Sequence, residues 1–485
     1  MTEYTCPHCS ETLRIPAEDA AKDHTCDFCG QRIGVPAQKK RRRFRRFLKW
    51  GFIGVAFVCL LTMVVLAVVY RGAVYNRFIR FPREARAWQA IRDSRVEVEL
   101  DDGWNAYRGV CHSHSALSHD CMVPFEEILR VMKETERDFI CMSDHCVDGK
   151  ADYSLQWKGV KDGVLFVRGF EMGYGFMPWG LPDGTVLRKD EDPEALARRI
   201  EALGGLLFFA HTEEERRWDL IELDGMEIYN IHTDTKDEGG DVLKQLLPDV
   251  ILSYGTYPDH VFRLFFDRQT AILERWDRLN ERRKIVGIGA NDCHQNNGFV
   301  GTYTERGTLL VEDTSPDTIG EYDLNVLTRL VLRMFFGPLE PGRKLFRFQL
   351  DPYERMTRFV ATHVLAKELT QEAILDGLKE GRVFVGFDMI ADCRGFVYFA
   401  EHGDRRAVMG QSLRFAEGVR LRSASPHACR FTVVRHGQPV YRQEGTELDW
   451  QPDEPGKYRL EAELNILGEW TPWIYTNPLE LTPPK

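Results

Sequence analysis

Two histidines separated by one residue, His112 and His114, are the first residues whose type and spacing indicate chemistry. In an extended strand, side chains at positions i and i+2 lie on the same side, so both imidazoles can reach one metal ion. The largely apolar segment Tyr107–Cys111 predicts a buried strand that ends at this pair. By itself, the pair is also compatible with two satisfied histidines at the surface.

The same arrangement occurs at four more places along the chain. Each time, a short apolar run is followed by a side chain that can bind a metal ion. Parallel β/α barrels collect their reactive groups at the carboxyl ends of the strands, so five such strand ends together predict one shared metal centre. The residues that follow the four further runs are Asp144 and His145, Glu171, His211, and Asp292 and His294.

The composition restricts the class of partner. The chain has 485 residues, enough for two or three domains, and a net charge of −10. Eight positive charges lie within Lys39–Lys49, so the rest of the chain is strongly acidic. A phosphate backbone is held by a basic surface, and we therefore expect no nucleic-acid partner. The 12 cysteines are too few and too scattered for a disulfide scaffold.

Four of the cysteines form two C-x-x-C knuckles near the N-terminus. They are Cys6 and Cys9 in the first knuckle, and Cys26 and Cys29 in the second. Four thiolates at this spacing predict a zinc-ribbon-like module over residues 1–36, closed around one structural zinc. So short a segment lacks an adequate apolar core, and the metal would supply the folding free energy. The alternative is a disordered tail with incidental cysteines.

The segment that follows has the pattern of a membrane anchor. Residues 50–70 carry no charge, and a helix of this length matches a bilayer core of about 30 Å. More Lys and Arg residues precede this run than follow it, which predicts a cytoplasmic N-terminus and an extracytoplasmic catalytic domain. We therefore expect a single-pass membrane protein in contact with the lipid bilayer. Its parts are a basic juxtamembrane segment at 37–49, a transmembrane helix at 50–70 and a linker at 71–95. A buried globular helix is the alternative.

Strands and helices alternate through the largest part of the chain. This texture predicts an α/β barrel over residues 96–390, whereas short strands broken by Gly and Pro predict a β-sandwich over residues 391–485. Asp192 and Pro193 have the pattern of a helix start, as capping residue and first helical residue. The predicted helices include 124–137, 192–204, 238–247, 268–283 and 369–381.

In their order along the chain, these residues resemble the motifs of the PHP superfamily, the polymerase and histidinol phosphatase hydrolases, over about Val96–Asp388. The resemblance implies a distorted (β/α)7 barrel with two or three divalent ions, usually zinc, iron or manganese, that usually hydrolyses phosphoesters. The C-terminal part further resembles a subgroup with an appended β-sandwich, which includes a carbamate-ester hydrolase. The motifs are His112-Ser-His114 with Ser118, Met142-Ser-Asp144-His145, Glu171, Ala210-His211 and Ala290-Asn-Asp292-Cys-His294.

The resemblance also implies how the ligands are distributed among the ions. Glu171 occupies the position of a bridging glutamate, and two ions so held can polarise a substrate oxygen and generate hydroxide at neutral pH. Glu171, Asp292 and Asp144 are the residues that we assign to catalysis. The binuclear centre takes His112, His114, Glu171 and Asp292, a further ion takes His145 and His211, and His119 and His294 complete the set.

One position departs from the family pattern, and at a second position the residue has two possible roles. The first motif commonly continues Ser-Asp-Gly, but here Ser118 is followed by His119 and Asp120. We favour His119 as the ligand over Asp120, and a neutral ligand there would favour zinc or iron over manganese. A further family ligand position falls near His232, which is either a ligand or a hydrogen-bonded loop histidine.

The role of Asp144 has two interpretations. Its carboxylate would either orient a ligand imidazole through hydrogen bonds without touching the metal, or bind a metal ion directly. We favour the former.

Cationic side chains near the ligands could bind an anionic substrate. Lys150 and Arg168 lie close in sequence to ligand strands, and Arg216 and Arg217 follow His211. Each is alternatively an ordinary solvated charge.

The leading hypothesis is a membrane-anchored, metal-dependent phosphoesterase. A second hypothesis keeps the metal site but changes the bond to a carboxylic or carbamate ester. A third is a non-catalytic membrane protein that binds a ligand and reports it through the zinc module.

Overall fold

A computed structural model of the chain describes residues 1–16, 18–19, 22–33, 38–231, 248–315 and 318–484. These residues form two compact units, Met1–Tyr75 and Asn76–Lys485. Each unit has a hydrophobic core of its own. The metal-type residues of the predicted catalytic part all belong to the second unit.

The first unit begins with two short antiparallel hairpins. The two cysteine knuckles are built alike, because Cys6 and Cys26 each accept a backbone hydrogen bond from the residue four positions ahead, Ser10 and Gly30. Its elements are β1 (Thr2–Thr5), β2 (Thr12–Ile15), β3 (His24–Thr25), β4 (Arg32–Ile33), α1 (Gln38–Val69) and α2 (Arg71–Tyr75).

The apolar segment at residues 50–70 lies in α1 up to Val69, and the same helix contains the basic run that precedes it. Among the residues that the structure describes, no helix combines the length and the apolar character needed to cross a bilayer. The predicted transmembrane helix is therefore wrong. The predicted single-pass localisation, with a cytoplasmic N-terminus and an extracytoplasmic catalytic domain, is wrong for the same reason. The lipid bilayer is likewise unsupported as a partner.

The second unit opens with a π-helical turn at Asn76–Arg80 and helix α3 (Phe81–Asp93), whose Trp88 is buried. The further helices are α4 (Phe125–Glu134), α5 (Pro193–Ala202), α6 (Pro258–Phe262), α7 (Thr270–Arg282), α8 (Val326–Phe336), α9 (Tyr353–Phe359) and α10 (Gln371–Glu380). Short 3-10 turns lie at Tyr153–Leu155, Gly173–Gly175 and Arg263–Phe265.

The strands of the second unit's first half are mostly short and buried. They are β5 (Asn105–Ser113), β6 (Phe139–Cys141), β7 (Asp144–His145), β8 (Lys150–Asp152), β9 (Gly159–Lys161), β10 (Val164–Val167), β11 (Phe170–Glu171), β12 (Phe176–Trp179), β13 (Val186–Arg188), β14 (Leu206–Phe209), β15 (Gly225–Asn230) and β16 (Val286–Cys293).

The second half of this unit is richer in strands. They are β17 (Gly298–Tyr303), β18 (Leu309–Asp313), β19 (Thr318–Tyr322), β20 (Lys344–Gln349), β21 (Ala361–Ala366), β22 (Val383–Gly386), β23 (Val397–His402), β24 (Arg405–Val408), β25 (Ser412–Arg414), β26 (Arg420–Arg435), β27 (Gln438–Trp450), β28 (Gly456–Ile466), β29 (Glu469–Thr476) and β30 (Leu479–Thr482).

One large mixed sheet runs through the second unit. Its parallel part joins β10, β6, β5, β16, β15 and β14 in that order. Antiparallel strands border this part, with β9 on β10 and β12 on β14. The strands β21 and β22 then lead from β5 to β29, so that the C-terminal strands belong to the same sheet.

The predicted (β/α)7 barrel with a separate β-sandwich and a transmembrane helix is therefore wrong as a fold class. The structure is mixed α/β, with a large sheet and a β-rich C-terminal region. Alternating strand and helix patterns predict local elements but not whether a strand pairs parallel or antiparallel. The antiparallel strands β12, β21 and β22 are the elements that break the expected repeat.

Four predicted helices are confirmed, with ends that differ from the predicted ones by one to three residues. Asp192 caps α5 by accepting a hydrogen bond from the backbone of Ala195, and Thr370 caps α10 in the same way. Gly381 ends α10 in the left-handed conformation that favours glycine. The helix predicted at 238–247 lies outside the described residues.

A separate four-stranded antiparallel sheet, in the order β19-β18-β17-β20, carries helix α8 and interrupts the path from β16 to α9. We call residues 298–349 the inserted module. Asp351 connects the two ends of the module. Its carboxylate accepts hydrogen bonds from the backbone of Asn296 and Asn297, just before the module, and from the side chain of Gln349, at its end. The module is thereby tied to the segment that directly follows His294.

A buried ion network lies just after β22. The carboxylate of Asp388 pairs with Arg137 and lies 3.5 Å from Arg108, and all three side chains are almost fully buried. Burial raises the pKa of Asp388, but the charge of Arg137 outweighs it and keeps the pKa well below its ordinary value. The network joins the turn before β6 to the start of the C-terminal strands.

Replacing Asp388 with Ala should destabilise the protein by about 3–5 kcal/mol, because it leaves a buried guanidinium without its counter-charge. The free energy of unfolding from urea denaturation measures this effect. Arg130→Ala is the matched control, since Arg130 pairs with Glu127 and Glu134 on the exposed face of α4 and should change stability little. Equal losses in the two variants would contradict the assigned role of Asp388.

Candidate metal centre

Three of the predicted ligands lie at strand ends in an unusual backbone conformation. His112 has a φ of 63°, His211 a φ of 48° and Asp292 a φ of 46°. Non-glycine residues rarely adopt this left-handed region, and such strain gathers at functional sites. The two histidines of the first pair therefore do not converge through simple strand alternation. A twist of the backbone at His112 helps to aim its ring at the same place as His114.

The first pair of histidines meets the carboxylate of Asp292. The Nε2 atoms of His112 and His114 lie 3.2 Å apart. Oδ1 of Asp292 lies 3.1 Å from Nε2 of His112 and 3.4 Å from Nε2 of His114. Ligand atoms about 2.0–2.2 Å from a shared ion are separated by distances of this size, so the three groups fit one cation.

Glu171 lies at the centre of the cluster. Its Oε1 is 3.1 Å from Nε2 of His211, and its Oε2 is 3.4 Å from Nε2 of His112 and 3.5 Å from Nδ1 of His145. Oε2 is buried and accepts no hydrogen bond within the described part of the chain. A buried carboxylate oxygen surrounded by imidazole nitrogens at these distances fits a metal ligand, because a cation would satisfy it.

Asp120, rather than His119, joins the ligand cluster. Oδ2 of Asp120 lies 3.3 Å from Nε2 of His294 and 3.4 Å from Nε2 of His145. The side chain of His119 is exposed, and its ring centre lies 5.1 Å from that of His145. This geometry favours Asp120, the alternative, over His119 as the ligand. The expectation that a neutral ligand at this position favours zinc or iron over manganese depended on His119 and no longer applies.

Eight side chains form three overlapping groups, in each of which the ligand atoms all lie within 4.8 Å of one another. His112 and His114 each belong to two of these groups, which therefore describe neighbouring positions rather than isolated sites. The groups are His112 with Glu171 and His211, His112 with His114 and Asp292, and His114 with Asp120, His145 and His294.

Glu227 supports the cluster from behind. Its Oε1 is hydrogen-bonded to Nδ1 of His112, and its Oε2 accepts hydrogen bonds from the backbone of His211 and the side chain of Asn230 at 2.8 and 2.9 Å. Such a carboxylate fixes the tautomer and the orientation of a ligand imidazole. The sequence analysis placed a family ligand position near His232, five residues further along the chain, but assigned no role to Glu227.

Asp144 lies in the same supporting layer. Its carboxylate is fully buried and accepts hydrogen bonds from Ser115, from Ser118 and from Gln156. It reaches the ligand His114 through Ser118, whose hydroxyl lies 3.0 Å from Nδ1 of that histidine. This placement favours the interpretation in which Asp144 orients a ligand imidazole over the one in which it binds a metal ion directly.

Tyr353 is a supporting residue that sequence reasoning missed. Its buried hydroxyl donates a hydrogen bond to the backbone oxygen of His114 and contacts Oγ of Ser113. More than two hundred residues separate it from this strand, and no local pattern marks it.

The electrostatics of the cluster favour cations. Burial lowers the pKa of His112, but the carboxylates of Asp292 and Glu227 outweigh it and raise the pKa well above its ordinary value. The pKa of His211 is raised to about 11 and that of His294 to about 10, again by carboxylates that outweigh burial. Protons and metal ions compete for such ligands, so metal binding here should release protons.

The cluster opens into a cavity of about 390 Å³. Among the four candidate cations, Arg216 lines this cavity, with its guanidinium bound to Glu214 and to the backbone of Ala210. Arg217 pairs with Asp219 at the surface and Arg168 with Asp183, whereas Lys150 is exposed. His232 lies outside the described residues.

A fourth buried group, His363, Asp388 and Cys393, also brings potential ligand atoms together. Arg137 and Arg108 already balance the charge of Asp388, and two guanidinium groups at that carboxylate disfavour a metal ion.

The four cysteines of the first unit form a compact cluster. Sγ of Cys6 lies 3.7 Å from that of Cys29, and Sγ of Cys9 lies 3.6 Å from that of Cys26. Four thiolates at about 2.3 Å from a tetrahedral zinc are separated by about 3.8 Å, so these distances fit a zinc site.

No family model and no curated protein matches the chain. Among solved structures, the chain is similar to a two-domain protein from Bacteroides vulgatus that contains a predicted PHP-like metal-dependent phosphoesterase. The identity is 14%, the similarity covers 79% of this chain and 99% of that one, and the TM-score is 0.33. A similarity at this level carries no argument about activity, which must come from the geometry of the site.

Replacing Glu227 with Gln should weaken metal binding at the cluster by about 10–100-fold, because His112 would lose the carboxylate that orients it. Elemental analysis after dialysis against a series of chelator concentrations measures the metal retained per chain. The four cysteines of the first unit should retain the same amount of metal in every variant, so a difference between variants reports on the cluster of the second unit. Glu274→Gln, at an exposed position on α7, is the matched control. Unchanged retention in Glu227→Gln would contradict this role.

Proposed function

We propose that the second unit is a metal-dependent hydrolase that cleaves phosphoester bonds. The observation that carries this proposal is the convergence, in three overlapping groups, of eight imidazole and carboxylate side chains, six of which line an open cavity. A single structural ion needs about four ligands and a closed site. A larger, shared and accessible set supports two or three ions and catalysis.

The chain's own side chains fit such ions. Glu171 and Asp292 each lie near imidazoles of more than one group, which suits them to bridging positions. When bound, a pair of divalent ions supplies Lewis-acid polarisation of the substrate oxygen and lowers the pKa of water. The proposed ligands are His112, His114, Asp120, His145, Glu171, His211, Asp292 and His294.

The supporting residues hold this arrangement in place during turnover. Glu227 keeps Nε2 of His112 directed at the cluster, and Asp144 does the same for His114 through Ser118. For Asp144 we therefore propose a positioning role rather than a direct part in the reaction. Arg216 is the cation at the cavity wall that could bind an anionic substrate, although Glu214 partly neutralises it.

A cysteine nucleophile fits the site poorly. Cys111 and Cys293 adjoin ligands but are fully buried. Burial raises the pKa of Cys293 well above its ordinary value, and burial raises the pKa of Cys121 to about 12. Such thiols remain protonated near neutral pH and are poor nucleophiles. This supports a mechanism in which the nucleophile is water rather than a side chain.

The ligand set suits zinc, iron or manganese. Imidazole favours zinc and iron, and carboxylate is also accepted by manganese. With Asp120 in place of His119, three carboxylates offset the charge of the ions.

The wild-type protein should hydrolyse an aryl phosphomonoester or diester after zinc, iron or manganese is added, and should lose this activity on chelation. His112→Ala and Asp292→Ala should each reduce turnover to the background rate, because each removes a ligand shared between positions. Release of the aryl alcohol measures the reaction. His402→Ala, at an exposed histidine outside the ligand groups, is the matched control.

Activity that survives both ligand substitutions would reject the proposed site. An aryl carboxylate or carbamate ester, assayed in parallel, decides between the two classes of bond. Metal and ligand binding without turnover of either class would favour the non-catalytic alternative.

We also propose that Cys6, Cys9, Cys26 and Cys29 hold one structural zinc in the first unit. The support for this is the spacing of the four sulfur atoms.

Cys6→Ser should lower the zinc content by about one ion per chain, because a tetrahedral site loses one of its four ligands. Elemental analysis measures this content, and the phosphoesterase activity should be unchanged. Loss of activity together with the zinc would contradict the separation of the two sites.

A further inference from the structure

Helix α8, on the inserted module, exposes an apolar surface that the proposed activity does not use. Asn325 caps the helix by accepting a hydrogen bond from the backbone of Thr328, and Arg343 donates to the backbone oxygen of Phe336 at its other end. The helix is therefore well defined at both ends. Yet none of its 11 residues is buried.

The exposed apolar side chains form one continuous surface. At 100° per residue they cover half of the helix circumference, whereas the ring of Phe336 turns inward and lies 5.3 Å from that of Phe346 on β20. Their exposure ranges from 42% to 87%. We call these six residues the α8 stripe: Val326, Leu327, Leu330, Val331, Met334 and Phe335.

The spacing of the α8 stripe suits another helix. Its residues form two ridges with a spacing of four, one through Leu330 and one through Val331. Ridges of this kind interdigitate with the same ridges of a second helix in the most common class of helix packing. A monomeric protein rarely leaves so continuous an apolar surface in contact with water.

The charges around α8 indicate what the second helix is. Acidic Asp323 precedes the helix, Arg333 lies in its last turn, and Lys344 follows it; all three are exposed. A second copy of α8 in antiparallel orientation brings the acidic end of each helix towards the basic end of the other and opposes the two helix dipoles. An anionic lipid surface would instead be repelled at the acidic end.

We infer that the α8 stripe is a two-fold self-association surface, on which a second copy of this chain docks its own α8 antiparallel to the first. The axis passes between Leu330 and Val331. Val326 of each copy then lies beside the partner's Phe335. The same surface on both copies forms the contact, as two-fold symmetry requires.

Sedimentation velocity of the full-length protein over a range of concentrations tests the association. The wild-type protein should dimerise, and Leu330→Glu should raise the dimer dissociation constant at least about tenfold, because two charges would be buried against each other. Ile221→Glu is the matched control, since Ile221 is also apolar and exposed but lies far from α8 in the chain. Phosphoester turnover per chain should be unchanged in both variants, which shows that they are folded.

Cysteine cross-linking tests the orientation. Leu330→Cys should form a disulfide between two copies under mild oxidation. Val326→Cys and Phe335→Cys should each fail to do so alone but should cross-link when the two variants are mixed.

Three outcomes would overturn the inference. The first is a protein that stays monomeric at all concentrations, and the second is a dimer that survives Leu330→Glu but is lost in Phe52→Glu on α1, where Phe52 is also exposed. The third is a monomer that sediments with phosphatidylglycerol vesicles, which would assign the stripe to a lipid surface instead.

Discussion

The structure of the second unit depends on the crowding of buried carboxylates and imidazoles around one small volume. Glu171 and Asp292 both approach Nε2 of His112, and Asp120 closes the other side of the cluster. Like charges in so little space repel one another, and their burial in a low-dielectric interior increases the cost. Cations resolve this conflict, whether they are protons or metal ions. The supporting residues and the strand ends act to keep the crowded groups in place.

The backbone contributes to this crowding directly. His112, His211 and Asp292 lie in the left-handed region, at a cost of about 1–3 kcal/mol each. Such conformations persist because the surrounding structure determines them. Glu227 is part of that structure, since its one carboxylate contacts the ring of His112 and the backbone of His211. Glu227 therefore helps to hold the strained backbone conformations at His112 and His211.

The large sheet explains why distant segments can supply this arrangement. The parallel strands β5, β6 and β14 to β16 end near one another and carry or precede the ligands. The antiparallel strands β21 and β22 connect them to the C-terminal region, and Asp388 with Arg137 and Arg108 reinforces that junction. The C-terminal strands thus extend the scaffold of the site.

The sequence by itself identified most of the imidazole and carboxylate side chains that the structure brings together in the cluster. Histidines and carboxylates that directly follow apolar runs, such as His145 and His211, can be read locally, because strand ends have a local pattern. Helix boundaries at Asp192 and Gly381 can be read for the same reason, since capping is a matter of neighbouring residues.

Only the tertiary structure decided what depends on partners far away in the chain. It placed Asp120 rather than His119 in the cluster, since the two neighbours differ in which one faces His294. It also revealed the supporting residues Glu227 and Tyr353 and the antiparallel strands that join the parallel part of the sheet to the C-terminal region. It showed, too, that the predicted membrane-spanning helix is wrong. Pairing direction, side-chain facing and long-range contacts follow from packing of the whole chain, and no local spacing specifies them.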